Sequence, residues 1–244
     1  MKIDEARHSK QTMKPAKQIV FLVDVDDTLL ENDRIQDDLK RHIEQEFGAK
    51  CRDRFWAIQE DLFQELGYRD YLGALQRFRI EYPYERHLVT AASYLVDYPF
   101  ANRLYPGALD VLEKLLTWGQ TVILSDGDVV FQPRKVYRSG IFEAVNGHVL
   151  IYVHKEEALA DVERRYPADH YVMVDDKLRI LAALKKAWGD RVTTVFPRQG
   201  KFANDPKLLA AFPDSADVSV ARISDLLDYS LADLLKATSL RNPK

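Results

Sequence analysis

The chain has 244 residues, enough for one large domain or a core with a smaller insert, and its 46% hydrophobic and 30% charged content excludes long disorder. A formal net charge of -3 gives no global attraction to polyanions, so no nucleic acid is expected as a partner. The single cysteine, Cys51, excludes an internal disulfide and reads as a small buried hydrophobe. With no signal-peptide core and no run of eighteen or so apolar residues, a soluble, cytoplasmic protein without membrane contact is expected.

Residues 1–17 read as a polar arm. The pattern then changes to IVFLVDV over residues 19–25, apolar on both faces as in a central parallel strand covered by helices. The segment 31–103 contains no convincing buried strand. Its pieces 35–47, 52–66, 72–80 and 86–96 look helical, punctuated by Gly48, Gly67 and Pro83, and it is too long to be a loop. It reads as a small helical cap domain, with Leu29, Leu30 and residues 99–104 as hinges. The core then resumes over 104–244, so that 18–30 and 104–244 form one discontinuous unit. There the helical pattern at 108–117 precedes a strand at 121–125. A helix at 156–165, a strand at 170–174, a helix at 178–188 and strands at 191–196 and 216–221 follow. Gly119 and Gly189 suit left-handed helix caps. A leucine-rich helical pattern covers 223–234, and 239–244 should fray. Strands alternating with helices predict an α/β fold with a mostly parallel sheet.

The chemistry concentrates at the predicted strand ends, where open α/β sheets bind ligands. DVDDT, residues 24–28, places Asp24, Asp26 and Asp27 at the end of the first strand. Such a carboxylate cluster needs a cation, and hard oxygens suit Mg²⁺. LSDG, residues 124–127, offers the Ser125 hydroxyl and the backbone amides after it to a phosphoryl oxygen. Lys155, at the start of a helical pattern, can neutralise both phosphate and a nucleophilic carboxylate. VDDK, residues 174–177, supplies Asp175 and Asp176, which can complete a magnesium site with Asp24. Singly, each piece is an ordinary acidic turn, turn serine, solvated lysine or N-cap; their order and spacing together carry the inference. An EF-hand reading fails, because Leu29 and Ile35 fall where glycine and glutamate are required.

These segments resemble the haloacid dehalogenase superfamily. Its Asp-x-Asp-x-Thr motif is matched by Asp24, Asp26 and Thr28, its serine or threonine by Ser125, its lysine by Lys155 and its acidic pair by Asp175 and Asp176. The resemblance implies a Rossmann-like core with an inserted C1-type helical cap. It makes Asp24 nucleophile and magnesium ligand, and Asp26 the general acid/base that also offers its backbone carbonyl to the metal. Thr28, Ser125, Asp126, Gly127 and Lys155 would form the phosphate-binding group, and Asp24, Asp26, Asp175 and Asp176 the metal group. The chain departs from the pattern at Asp126, where asparagine is usual and where the added charge needs a partner, and at Glu156, where proline often follows the lysine. Lys135 is the rival for the lysine role, and residues 132–135 could instead support the Ser125 loop.

The expected activity is magnesium-dependent hydrolysis of a small phosphorylated metabolite through an aspartyl phosphate. The alternatives are a sugar-phosphate mutase and a non-catalytic binding protein on the same fold. A monomer is the simplest expectation. Among the aromatic residues of the helical segment, one or two should line the substrate pocket. The arginines Arg52, Arg54, Arg69, Arg77, Arg79 and Arg86 read as a solvated surface, unless one is directed into the cleft.

Overall fold

The computed structural model of the chain describes residues 18–239. The polar arm expected at 1–17 and the stretch from 240 to 244 lie outside the described residues. Six strands form one sheet: β1 (Ile19–Val23), β2 (Gln120–Asp126), β3 (Val149–Tyr152), β4 (His170–Val174), β5 (Val192–Pro197) and β6 (Val218–Val220). Their order is β3-β2-β1-β4-β5-β6, and every pair is parallel.

All five residues of β1 are buried, which fixes it as a central strand. The two-residue strand period then sorts them. Ile19, Phe21 and Val23 pack on one face with Val111, Leu112 and Leu115 of α5 (Ala108–Trp118). Val20 and Leu22 pack on the other with Val162, Ile180 and Leu184. After β1 the chain returns to the sheet only beyond α1 (Asn32–Phe47), α2 (Ala49–Leu66), α3 (Tyr71–Glu81) and α4 (Leu88–Asp97), an inserted helical region. This region has its own core, in which Ile35, Leu39, Phe55, Leu62 and Phe78 meet Phe131 from outside the insert. Its two connections to the sheet are tied together: Leu30 bridges antiparallel to Leu104, and the Tyr105 amide donates to Leu29 O at 2.9 Å. The rest of the fold adds α6 (Phe131–Arg138), α7 (Ile141–Ala144), α8 (Leu159–Arg165), α9 (Leu178–Trp188), α10 (Pro206–Ala211) and α11 (Leu231–Ser239).

Five expectations need correction. β3 was not anticipated: it is a four-residue edge strand in which only Leu150 is buried, so it lacks the apolar run of its neighbours. The helix expected at 156–165 begins as a 3-10 turn at Lys155–Glu157 before α8, and that expected at 223–234 divides into a 3-10 segment, Ile223–Asp228, and α11. Gly119 is extended, with φ 175°, and does not adopt a left-handed cap. Its need for glycine is steric, because a Cβ would stand 2.4 Å from Ile19 O. Cys51 is only half-buried, packed against the core of the helical insert.

Candidate active site

Because β3, β2, β1 and β4 are adjacent and parallel, the segments that follow them converge on one edge of the sheet. Asp24 follows β1, and its amide extends the ladder by donating to Val174 O at 2.9 Å. Asp126 ends β2, Lys155 follows β3, and Asp175 and Asp176 follow β4. This is the crevice at the carboxyl ends of the strands where the chain order changes direction.

Lys155 joins these segments. Its ammonium lies 2.5 Å from Asp24 Oδ1 and 2.6 Å from Asp175 Oδ2, and it donates to Leu124 O at 3.3 Å. Its own amide donates to Asp126 Oδ1 at 2.7 Å. The extra negative charge at Asp126 thus has its partner. Lys155 is fully buried; burial pulls its pKa down, but Asp175, Asp24 and Asp126 outweigh it and hold the ammonium protonated well above the usual lysine range. Burial pushes Asp175 up to about 6 against the pull of Lys155, and raises Asp126 despite the same cation. Asp176 is raised well above the carboxylate range, mainly by burial, with Lys177 opposing and Asp175 and Asp24 adding to the rise.

The rival lysine has a different task. Lys135 on α6 is 1% exposed and places its ammonium 2.5 Å from Asp26 Oδ1 and 3.1 Å from Asn32 Oδ1, above the Phe131 ring. Gln132, one turn earlier, donates to Ser125 Oγ at 2.9 Å and reaches Asp26 Oδ2 at 3.4 Å. Residues 132–135 therefore brace the Ser125 and Asp26 segments.

Two members of the expected phosphate-binding group are otherwise engaged. Thr28 is fully buried; its hydroxyl accepts from the Asp176 amide at 3.1 Å, and its carbonyl accepts from Gln199 Nε2 at 3.2 Å. It fastens the β1 loop to the β4 loop. The Gly127 amide, expected to face phosphate, donates to Tyr152 O at 2.9 Å because the β2–β3 pairing continues past the strand end. Glycine is needed there for space, since a Cβ would stand 2.5 Å from Gln132 Cβ. Asp27 is not part of the carboxylate cluster: with φ 58° it turns back and accepts from the Asn32 and Asp33 amides, capping the start of α1.

Asp24, Asp175 and Asp176 are the one group of acidic, histidine or cysteine side chains among the described residues with ligand atoms mutually within metal-sharing reach, each oxygen within 4.8 Å of the others. All three are buried, and Asp24 Oδ2 and both Asp176 oxygens have no hydrogen-bond partner. Buried carboxylate oxygens left unpaired are costly, and an all-oxygen donor set fits a hard divalent cation. The three residues could therefore hold a metal ion.

A cavity of about 570 Å³ opens beside this cluster, lined by Asp26, Asp126, Gly127 and Asp176 from the strand ends and by Phe63, Tyr68, Arg69 and Tyr71 from the insert. Asp24, Thr28, Ser125, Lys155 and Asp175 are not on its wall; each is 0 to 1% exposed. Lys177 also lines it, held protonated by Asp24 and Asp176 against the opposing effect of burial. Sequence reasoning assigned no role to Lys177, although it directly follows the acidic pair. Nor did it find Gln199, which joins Thr28 O to the Ile223 amide and carries no local signal.

Residues 20–187 match the family model of the haloacid dehalogenase-like hydrolases. The chain belongs to this family. A haloacid dehalogenase-like hydrolase from Burkholderia xenovorans LB400 is 59% identical over 90% of this chain and 99% of that one, with a TM-score of 0.84. Two more distant structures share the fold. The HAD-hydrolase YfnB from Bacillus subtilis, bound to magnesium, is 16% identical over 87% of this chain and 98% of its own, with a TM-score of 0.58. The L-2-haloacid dehalogenase of Xanthobacter autotrophicus, with chloropropionic acid covalently bound, is 17% identical over 85% of this chain and 96% of its own, with a TM-score of 0.55. A search of curated proteins found no match. As a family member with the acidic cluster in place, the chain is a HAD-type hydrolase. Among the described residues, no helix is long and apolar enough to cross a membrane.

Proposed function

We propose that the chain is a phosphatase that hydrolyses a small phosphomonoester through an aspartyl phosphate on Asp24, with Mg²⁺ as cofactor. The observation that carries the reading is the pairing of Asp24: one oxygen is fixed by Lys155 at 2.5 Å, and the other is buried with no hydrogen-bond partner. An oriented carboxylate with one free oxygen is suited to nucleophilic attack.

In the first step an Asp24 oxygen forms a bond to phosphorus while the bond to the leaving alkoxide breaks. Asp26 gives its proton to the leaving-group oxygen. In the second step the Asp26 carboxylate takes a proton from water as the water oxygen attacks phosphorus. The bond from phosphorus to Asp24 breaks, releasing inorganic phosphate and restoring both side chains. Lys155 and the Ser125 hydroxyl offset charge on the transferring group, and Lys135 and Gln132 keep the Asp26 carboxyl in place. Asp24, Asp175, Asp176 and the Asp26 carbonyl would hold the metal, which when bound neutralises phosphoryl charge. The magnesium bound to YfnB supports that choice of ion.

Residues 31–103 act in this reading as a C1-type cap on a core made of 18–30 and 104–244. In this reading the cap moves aside to admit substrate to the buried Asp24, in line with the interdomain movement described for YfnB. The retained carboxylate at Asp26 favours phosphorus over carbon chemistry, since attack on a carbon–halogen bond needs no acid there.

The test is phosphate release from a panel of phosphomonoesters, with and without Mg²⁺, by wild type and Asp24→Asn. Magnesium-dependent release that disappears in the variant is the expected result. A folded wild type that releases no phosphate, yet frees halide from 2-haloacids, would overturn the reading.

A further inference from the structure

The volume of the cavity exceeds what the smallest phosphoesters require. At about 570 Å³ it falls in the range that encloses a substantial organic ligand, roughly 300–1,000 Å³. Its wall is also more aromatic than phosphate handling requires. Phe63 from α2 and Phe202 from the segment after β5 both line it, yet they remain 37% and 41% exposed and belong to none of the three hydrophobic cores. Stability of the fold does not account for two partly solvated phenyl rings on one cavity.

Each of these rings carries a cation. The Arg69 guanidinium lies 5.0 Å from the Phe63 centroid and the Lys201 ammonium 5.2 Å from that of Phe202. Arg69 and Lys201 also line the cavity. Arg69 also pairs with Glu60 at 3.3 Å and Lys201 with Asp33 at 3.0 Å, as Arg52, Arg54 and Arg77 pair with surface glutamates, but only Arg69 and Lys201 of these five line the cavity. A guanidinium plane and a phenyl ring both accept flat π systems by stacking.

An independent observation points to a polar feature on the same ligand. Tyr71 lines the cavity, is 4% exposed, and its hydroxyl has no hydrogen-bond partner. A buried hydroxyl is normally satisfied, so this donor is open to an acceptor that a ligand brings.

We propose that the natural substrate is a phosphomonoester built on a flat aromatic ring that carries a hydrogen-bond acceptor. The ring packs against the Phe63 and Phe202 side of the cavity wall, and Tyr71 donates to the acceptor. This rests on the phosphatase reading for turnover, but the ring selectivity can be measured without it.

Four substrates separate the contributions: benzyl phosphate, its saturated counterpart cyclohexylmethyl phosphate, pyridin-3-ylmethyl phosphate and glycerol 1-phosphate. Benzyl should exceed cyclohexylmethyl phosphate in kcat/KM by about fivefold, the scale of one aromatic contact. Pyridinylmethyl phosphate should exceed benzyl phosphate by a similar factor. Phe63→Leu and Phe202→Leu should bring the benzyl to cyclohexylmethyl ratio toward one, and Tyr71→Phe should remove the pyridinyl advantage. Binding of benzylphosphonate against cyclohexylmethylphosphonate, by calorimetry on wild type, reads the same selectivity with no chemistry. Equal binding of the two phosphonates, or leucine variants that slow every ester in the same proportion, would overturn the proposal. Selective binding with no phosphate release from any ester would instead overturn the phosphatase reading and leave the aromatic site standing.

Discussion

Lys155 gives the sharpest expectation at the scale of a single residue. It is the cation shared by Asp24 and Asp175, and all three are buried. Removing one partner of a buried ion pair costs about 3–5 kcal/mol, and here two carboxylates lose theirs. Lys155→Met should therefore lower the unfolding free energy by about 3 kcal/mol or more in urea titrations. It should also reduce phosphate release by about 10²–10³-fold, the cost of losing one charge-stabilising donor. Retained turnover in a folded variant would show that Lys135 performs the role. Asp27 gives a pH dependence. Burial, with Asp33 and Asp26 nearby, pushes its carboxyl up to about 7 from the usual 3.8. The folded chain then holds a proton that the unfolded chain has lost. Stability from this group is full below pH 3.8, falls as pH rises to about 7, and is level above. Asp27→Asn keeps an acceptor for the Asn32 and Asp33 amides and tolerates the positive φ. Its urea midpoint should vary less between pH 4 and 7 than that of wild type, and should be higher at pH 8. An unchanged slope would assign the dependence to other groups. Asp27 also shows where sequence reading stops. Beside Asp24 and Asp26 it looks like a third metal-site carboxylate, and only the backbone turn at φ 58° directs it to the helix start.

At the scale of elements, two glycines at helix ends distinguish structural from functional demands. Gly67 caps α2 in the left-handed conformation with φ 78°, and an added Cβ would meet the His154 ring at 2.6 Å. Gly48, with φ 82°, has nothing within 4 Å. Alanine at either position should cost about 1–3 kcal/mol from the positive-φ backbone alone. Gly67→Ala should additionally displace His154, the neighbour of Lys155, and lower kcat/KM several-fold, whereas Gly48→Ala should show only the stability loss. Equal kinetic effects of the two would remove any role for the Gly67 contact. The elements were legible where burial was two-sided. β1, β4 and β5 are almost wholly apolar or β-branched, and the amphipathic α5 and α9 show their stripes at helical spacing. β3 was not, because an edge strand with a single fully buried side chain has no such pattern. The breaks that turn helices into 3-10 segments after Lys155 and Ile223 depend on how those loops cross the sheet edge, which no local pattern records.

For the molecule as a whole, most of the candidate site could be read from sequence because Asp24, Ser125, Asp175 and Asp176 stand at the ends of the central strands β1, β2 and β4, where order along the chain becomes adjacency in the sheet; Lys155 follows the edge strand β3. Lys135 and Gln132 were less legible: a lysine and a glutamine on an amphipathic helix read as surface residues until the helix is seen packed with them inward, both under 4% exposed. The cavity was the least legible feature, since its wall is drawn from α1, α2, α3, α6, α9, α10 and the loops after β1, β2, β4 and β5. The three buried carboxylates that converge without enough partners have one more consequence. They repel one another only in the folded chain, so the fold is under electrostatic tension that a bound cation relieves. A divalent ion that binds the folded state alone acts as a thermodynamic clamp, adding about 2.7 kcal/mol at a hundred times its dissociation constant. The melting temperature should therefore rise with Mg²⁺ concentration in wild type and far less in Asp176→Asn. This makes heat denaturation a direct titration of the site, with no substrate required.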